Sequence, residues 1–136
     1  MEKLSAAMEN YLKTIYSICR FNTMTHVSEI AAKMNLSKAS VCRATDILSD
    51  KGLSRKDKYR DLSFTAEGLY QAELISNKYD IIQTFLNEVL DVDPSVAEKD
   101  ACSFEHSISL KSLQSMKHCI KNNKMDETVR KKSEQF

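Results

Sequence analysis

The sequence predicts a mainly α-helical chain, in which short helices and one β-hairpin precede a longer run of helices. Three observations lead there. Only two Gly and one Pro occur in 136 residues, which argues for helices joined by short connections and against a sandwich or barrel. Apolar residues recur at helical spacing over most of the chain. The one stretch with strand-like alternation, LSRKDKYRDLSFT, directly follows two short helical segments.

Taken in order, Ser5 is placed to cap a first helix whose apolar positions are Met8, Leu12, Ile15 and Cys19. After the loop FNTMTH, the segment VSEIAAKM forms a short helix burying Val27, Ile30 and Ala31. Asn35-Leu36-Ser37 breaks it, and Ser37 caps the next helix, KASVCRATDILSDKG, which buries Val41, Ala44 and Leu48 and ends at Gly52. Two short helices around a tight turn, the second with a polar outer face, form a helix-turn-helix. The following hairpin, with its tip at Lys56-Asp57-Lys58-Tyr59-Arg60, is then a wing.

Thr65 caps a long helix running to about Leu90, with a broad apolar face of Leu74, Ile75, Ile81, Ile82, Phe85, Leu86, Val89 and Leu90. So wide a stripe exceeds what one small subunit covers, so Ile81, Phe85 and Val89 are expected at a subunit interface. Asp93-Pro94 opens another helix with Asp as cap and Pro in the first turn. Its core stripe is Ala97, Ala101, Phe104 and Ile108, with Glu98, Cys102, Glu105 and His106 on one flank. Ser109 starts a last helix through Leu110, Leu113, Met116 and Ile120, and the tail from Met125 is polar and expected to fray. The expected organisation is a winged helix-turn-helix over 1–72, an all-helical domain over 73–124, and the tail 125–136.

Net charge is +1, but its distribution is uneven. Residues 37–60 hold 7 basic side chains against 3 acidic ones, which points to an anionic partner docking there. No run approaches the length of a membrane span, and the N-terminus lacks a signal-peptide pattern. The chain is therefore expected in the cytoplasm, away from membranes, with Cys19, Cys42, Cys102 and Cys119 reduced. No C-x-x-C pair is present, which disfavours a structural zinc ribbon.

MENYLKTIY, VSEIAAKMNLSKASVCRATDILSDKGL, LSFTAEG and DACSFEH occur in this order between about Leu4 and Asn122. In order and spacing the chain resembles the family of metal-dependent repressors that includes the diphtheria toxin repressor and the manganese transport regulator, in its short form without the SH3-like domain. The resemblance implies a homodimer with winged helices outside, dimer- and metal-binding helices at the centre, and operator DNA as partner, with no small-molecule substrate. It implies a repressor that responds to a divalent metal and controls metal-homeostasis genes.

The N-terminal outward side chains of a recognition helix enter the major groove, which here are Ser37, Lys38, Ala39, Ser40 and Arg43. The family's base-contacting positions fall on Ser37, Ala39 and Arg43. Arg43 suits guanine O6 and N7 and Ala39 a thymine methyl, with a phosphate contact or plain solvation the alternative for Arg43. Lys56, Lys58 and Arg60 on the wing suit phosphate.

For the metal, the resemblance draws ligands from the first helix, the long helix and DACSFEH. Cys102, Glu105 and His106 match, and a thiolate, a carboxylate and an imidazole make a mixed site that favours Fe(II), Co(II) or Zn(II) over Mn(II). The pattern departs at Asn10, where the family has Asp or Met, and at Lys13, where its manganese-type members carry Glu. It departs again at Tyr79, where it has His, and at the ancillary positions Gln83 and Glu98. The expectation is one divalent metal per subunit, held by Cys102, Glu105 and His106 with Asn10 and Glu98 as weaker candidates, and not a manganese pair.

The competing reading makes Cys102 a small buried apolar group and Glu105–His106 a hydrogen-bonded pair in a dimer core. The regulator is then metal-independent or responds through a thiol. His26 and His118 read as isolated surface residues, and Cys19, Cys42 and Cys119 as core fillers. An enzyme using Cys102 and His106 is disfavoured, because residues one turn apart on one helix rarely line a substrate pocket and no Gly-rich loop supplies an oxyanion or phosphate site.

Overall fold

Helix α1 (Ala6–Cys19) begins at Ser5, whose Oγ accepts from the Met8 N–H at 3.2 Å. This computed structural model describes residues 4–59 and 61–134, with side chains described as far as Lys124. The chain divides into two compact units, one ending at Ser76 and the other beginning at Asn77.

In the first unit, α1 buries Tyr11, Leu12 and Ile15. The loop expected after it contains a short strand, β1 (Thr25–His26), followed by α2 (Val27–Met34) and α3 (Lys38–Asp50). Val27, Ile30 and Ala31 are buried on α2, and Val41, Ala44 and Leu48 on α3, as their spacing predicts. Asn35 closes α2 in the left-handed conformation, φ 55° and ψ 46°, which Asn tolerates better than most residues. Strands β2 (Ser54–Lys56) and β3 (Asp61–Phe64) form the hairpin. The sheet order is β1-β3-β2, antiparallel throughout, with Lys56 opposite Leu62 and Thr25 also opposite Leu62. The wing therefore grows from a sheet rooted in the loop before α2.

Helix α4 (Ala66–Ser76) packs on α1 and is sealed to the turn after α3. The Thr65 N–H bonds to the Leu53 carbonyl at 3.2 Å, and Thr65 Oγ1 donates to the Gly52 carbonyl at 2.6 Å. Thr65 Oγ1 also accepts from the Gly68 N–H at 3.0 Å, which makes it the helix cap that its position predicts. Gly68 lies so close to Leu53 that a Cβ there would fall 1.7 Å from the Leu53 carbonyl oxygen.

The single long helix expected between Thr65 and Leu90 is divided. Asn77 leaves helical geometry (φ −112°, ψ 17°), and the second unit starts with α5 (Lys78–Thr84), which passes into a π-helical turn, Phe85–Val89. Ser76 and Asn77 have side chains that compete for backbone hydrogen bonds, which weakens a helix interior at that point. The π turn ends with Asp91 at φ 57°, while the Val92 N–H reaches back to the Leu86 carbonyl at 2.8 Å. Helix α6 (Pro94–Phe104) starts as predicted, with Asp93 accepting from the Ser95 N–H at 3.1 Å and Pro94 in the first turn.

Two expectations for α6 are corrected. Ala97 and Ala101 are fully buried, but Phe104 is 46% exposed and so is not part of this subunit's core. The helix also ends at Phe104, with Glu105 as its cap, and the Ser107 and Ile108 N–H groups both bond to the Phe104 carbonyl, at 3.1 and 2.9 Å, in a turn beyond it. Helix α7 (Leu110–Glu134) begins beside Ser109, whose Oγ accepts from the Ser112 N–H at 3.1 Å. Its backbone stays helical to Glu134, through the segment expected to fray. Helix α5 packs on α6 and α7.

Candidate nucleic-acid interface and metal centre

Ser37 sits at the mouth of α3 with its hydroxyl committed to the helix: Oγ accepts from the Ser40 N–H at 3.2 Å and donates to Ser40 Oγ at 2.9 Å. Lys38, Ala39 and Arg43 are exposed, and Ser40 is half-buried. The outward face continues through Asp46, Ile47 and Asp50, all exposed at helical spacing from Ala39 and Arg43. That face is cationic only toward its N-terminal half, where Lys38 and Arg43 lie. Ile47, 43% exposed on this face, was not singled out from sequence, since one apolar residue in an amphipathic helix reads as core.

The wing carries the remaining candidates. Lys58 and Tyr59 are exposed at its tip, with the Lys58 ammonium 5.0 Å from the centre of the Tyr59 ring, a cation–π distance. Lys56 points the other way. Its Nζ donates to Asp46 Oδ1 at 2.6 Å and to the Cys42 carbonyl at 3.3 Å, both on α3. Arg60 lies outside the described residues. The tip is shaped by Asp57, whose Oδ1 accepts from the Tyr59 N–H at 2.8 Å and the Asp61 N–H at 3.0 Å. An Asp two residues before the turn apex is a local signal for such a fold, and it was legible in the sequence though unused.

On α6, Glu98 and Cys102 are exposed and four residues apart. Glu105 caps the helix, and His106 lies beyond it with a side chain 79% exposed, its Nε2 3.9 Å from Glu105 Oε1. Cys102 is exposed and so is not buried within its own subunit. The three donor types suit a mixed first-row metal site. They are not drawn together, however: among the described residues no group of three His, Cys, Asp or Glu side chains is arranged to hold an ion. Tyr79 faces this cluster from α5. Its phenol is held above the usual range, first by desolvation and then by Glu98, Cys102, Asp80 and Glu105. Asn10 is an exposed residue of α1, in the first unit.

The other thiols and histidines separate by environment. Cys19 and Cys42 are half-buried; burial, then the nearby Glu29, raises the Cys19 thiol above its ordinary range. Cys119 is exposed and not a core filler. His26 caps α2, with Nδ1 accepting from the Ser28 N–H at 3.3 Å, and His118 lies 3.0 Å from Asn122 Nδ2. Ile81, expected at a subunit interface, is buried in its own unit, whereas Phe85 and Val89 are half-buried. Phe85 lines a mainly apolar groove of about 500 Å³ with Lys111, Ser112, Ser115, Met116 and Cys119.

Residues 3–62 match the model for the iron-dependent repressor N-terminal DNA-binding domain, and residues 65–133 that for the iron-dependent repressor metal-binding and dimerisation domain. The chain belongs to the iron-dependent repressor family. This is a family of transcriptional regulators and not of enzymes, as the sequence resemblance implies. An uncharacterized HTH-type transcriptional regulator of Methanocaldococcus jannaschii is 29% identical over 115 residues, 84% of this chain and 92% of that protein. The HTH-type transcriptional regulator MntR of Listeria monocytogenes is 28% identical over 107 residues, 79% of this chain and 75% of its own length. Among solved structures, ScaR with bound Cd2+ superimposes with a TM-score of 0.58 at 26% identity over 84% of this chain. The present chain spans only 53% of ScaR, about half its length. Among the described residues no helix is long and apolar enough to cross a membrane.

Proposed function

We propose that the chain is a metal-responsive transcriptional repressor that acts in the cytoplasm, binding operator DNA as a homodimer and controlling metal-homeostasis genes. The observation that carries this is the succession, in one chain, of the family's DNA-binding half and its metal-binding and dimerisation half. Arg43 and Ala39 are the base readers, because they are exposed on the outward face of α3 while Ser37 and Ser40 bond to each other. Lys38 and the wing-tip Lys58, together with Arg60, meet phosphate. Ser37 contributes by starting the helix at the groove. The apolar side chains left exposed at Leu90, Val96 and Phe104, and the groove lined by the half-buried Phe85, favour a second copy as their cover.

The metal is one divalent ion per subunit, of the Fe(II) kind, held by Cys102, Glu105 and His106. Binding it requires the turn after Phe104 to bring His106 in from solvent. Lys13 and Tyr79, where the resemblance leads one to expect a carboxylate and an imidazole, disfavour a manganese pair. A second reading, a metal-independent or thiol-responsive regulator, draws support from the same exposed Cys102 and the unassembled donors.

Titration with Co(II) separates the two. Thiolate ligation gives intense sulfur-to-metal absorption in the near ultraviolet, saturating at about one equivalent per subunit and tightening as pH rises, because the thiol must lose its proton. Cys102→Ser is expected to abolish the band. A Co(II) complex without that absorption would leave the second reading standing.

A further inference from the structure

We infer that Lys56 is a positioning residue for DNA binding: its ammonium ties the root of the wing to the recognition helix, so that Lys58 at the tip is held against phosphate. This rests on the reading that α3 and the wing face DNA. The inference starts from a mismatch between sequence and placement. Lys56 belongs to the basic run at the wing and looks like one more phosphate contact. Its side chain is nevertheless only 16% exposed, against 68% for its partner Asp46.

Two bonds hold it there. One goes to the Asp46 carboxylate at 2.6 Å, the other to the Cys42 carbonyl at 3.3 Å, so both fix β2 to the middle of α3. Thr45 Oγ1 also donates to the Cys42 carbonyl, at 3.1 Å, so the anchor lies on a packed part of the helix. Lys56 is the last residue of β2, and the next residue, Asp57, folds the tip around its own carboxylate and bonds back to the Asp61 carbonyl at 3.0 Å. The tip is therefore internally braced, and its position follows the end of β2.

The test is a double-mutant cycle on binding to a fluorescent duplex of mixed sequence, because non-specific binding is carried by phosphate contacts. Lys58→Met alone is expected to weaken binding and lower the log–log salt slope by about 0.9 per bound subunit, or about 1.8 for the dimer. Lys56→Met should lower the slope at least as much. Adding Lys58→Met to it should then change affinity by less than about twofold, since a wing no longer anchored cannot use Lys58. Lys56→Arg, which keeps the charge and two donors, should preserve the full effect of Lys58→Met. A purely structural role would lower the unfolding temperature without abolishing the contribution of Lys58.

If the two Met substitutions multiply, each removing one contact from the slope, Lys56 is itself a phosphate ligand and the inference is overturned. Should Lys56→Met not fold, Asp46→Ala breaks the anchor from the other side. Lys58→Met losing its effect in that background supports the inference, and Lys58→Met retaining it overturns it. Failure of the unmodified protein to bind any duplex is a distinct result, which overturns the DNA-binding reading beneath it.

Discussion

Gly68→Ala is expected to lower the unfolding temperature of the DNA-binding unit by roughly 12–24 °C, the equivalent of about 3 kcal/mol in a unit of this size. A Cβ at this position would lie 1.7 Å from the Leu53 carbonyl oxygen and 2.6 Å from its carbon, with no flexible side chain to yield. The backbone of α4 and that of the α3–β2 turn would have to separate. The bonds that seal this junction are the Thr65 N–H to the Leu53 carbonyl and Thr65 Oγ1 to the Gly52 carbonyl, so they would lengthen with it. Because the turn leads directly into the wing, DNA binding should fail below the new unfolding temperature as well. Gly52, by contrast, has open space around its Cβ direction, so Gly52→Ala meets only the strain of φ 75° and costs about 1 kcal/mol. Circular dichroism melts of the two variants check this, and equal melting temperatures would contradict the packing described.

DNA affinity should fall on the order of 10³–10⁵-fold between about 50 and 200 mM salt, as expected for roughly 6–10 phosphate contacts per complex. The basis is local and not global, since the chain as a whole carries a formal charge of only +1. Lys38 and Arg43 lie toward the N-terminal half of the outward face of α3, and Lys58 is exposed at the wing tip. Two subunits double that set. Within it, Arg43→Ala should relax preference at one base position, whereas Lys58→Met weakens all sequences alike. Fluorescence anisotropy across a salt series measures both, and a nearly flat dependence would mean that this surface does not face the phosphate backbone.

The helix-turn-helix was legible because its signals are local. Caps at Ser5, Ser37 and Asp93, the break at Asn35 and the spacing of Val27, Ile30, Ala31, Val41, Ala44 and Leu48 lie within contiguous segments. What was not legible depends on partners distant in sequence. Strand β1 has only two residues and exists through its pairing with β3, so no alternation announces it. The apolar stripe from Leu74 to Leu90 continues across Asn77, and periodicity alone does not show that the helix is broken there. Phe104 falls on the stripe of Ala97 and Ala101, yet the small side chains are the ones buried in this subunit. For the candidate metal site, residue types were legible from spacing, but the spacing assumed one continuous helix. With α6 ending at Phe104, His106 falls outside the helix that carries Cys102. Lys56 shows the same limit for the DNA face: charge places it in the basic run, and only its contacts reveal that it points inward.

The central claim, that a divalent metal held around Cys102 controls DNA binding, is tested most directly by the affinity of the full chain for its operator duplex with chelator and with Fe(II), Mn(II), Co(II) or Zn(II) at fixed salt. The expected result is tightening of about 5–150-fold by Fe(II) or Co(II) relative to chelator, less by Mn(II), and loss of the difference in Cys102→Ser. Equal affinity with chelator and with every metal, unchanged by Cys102→Ser, would contradict it.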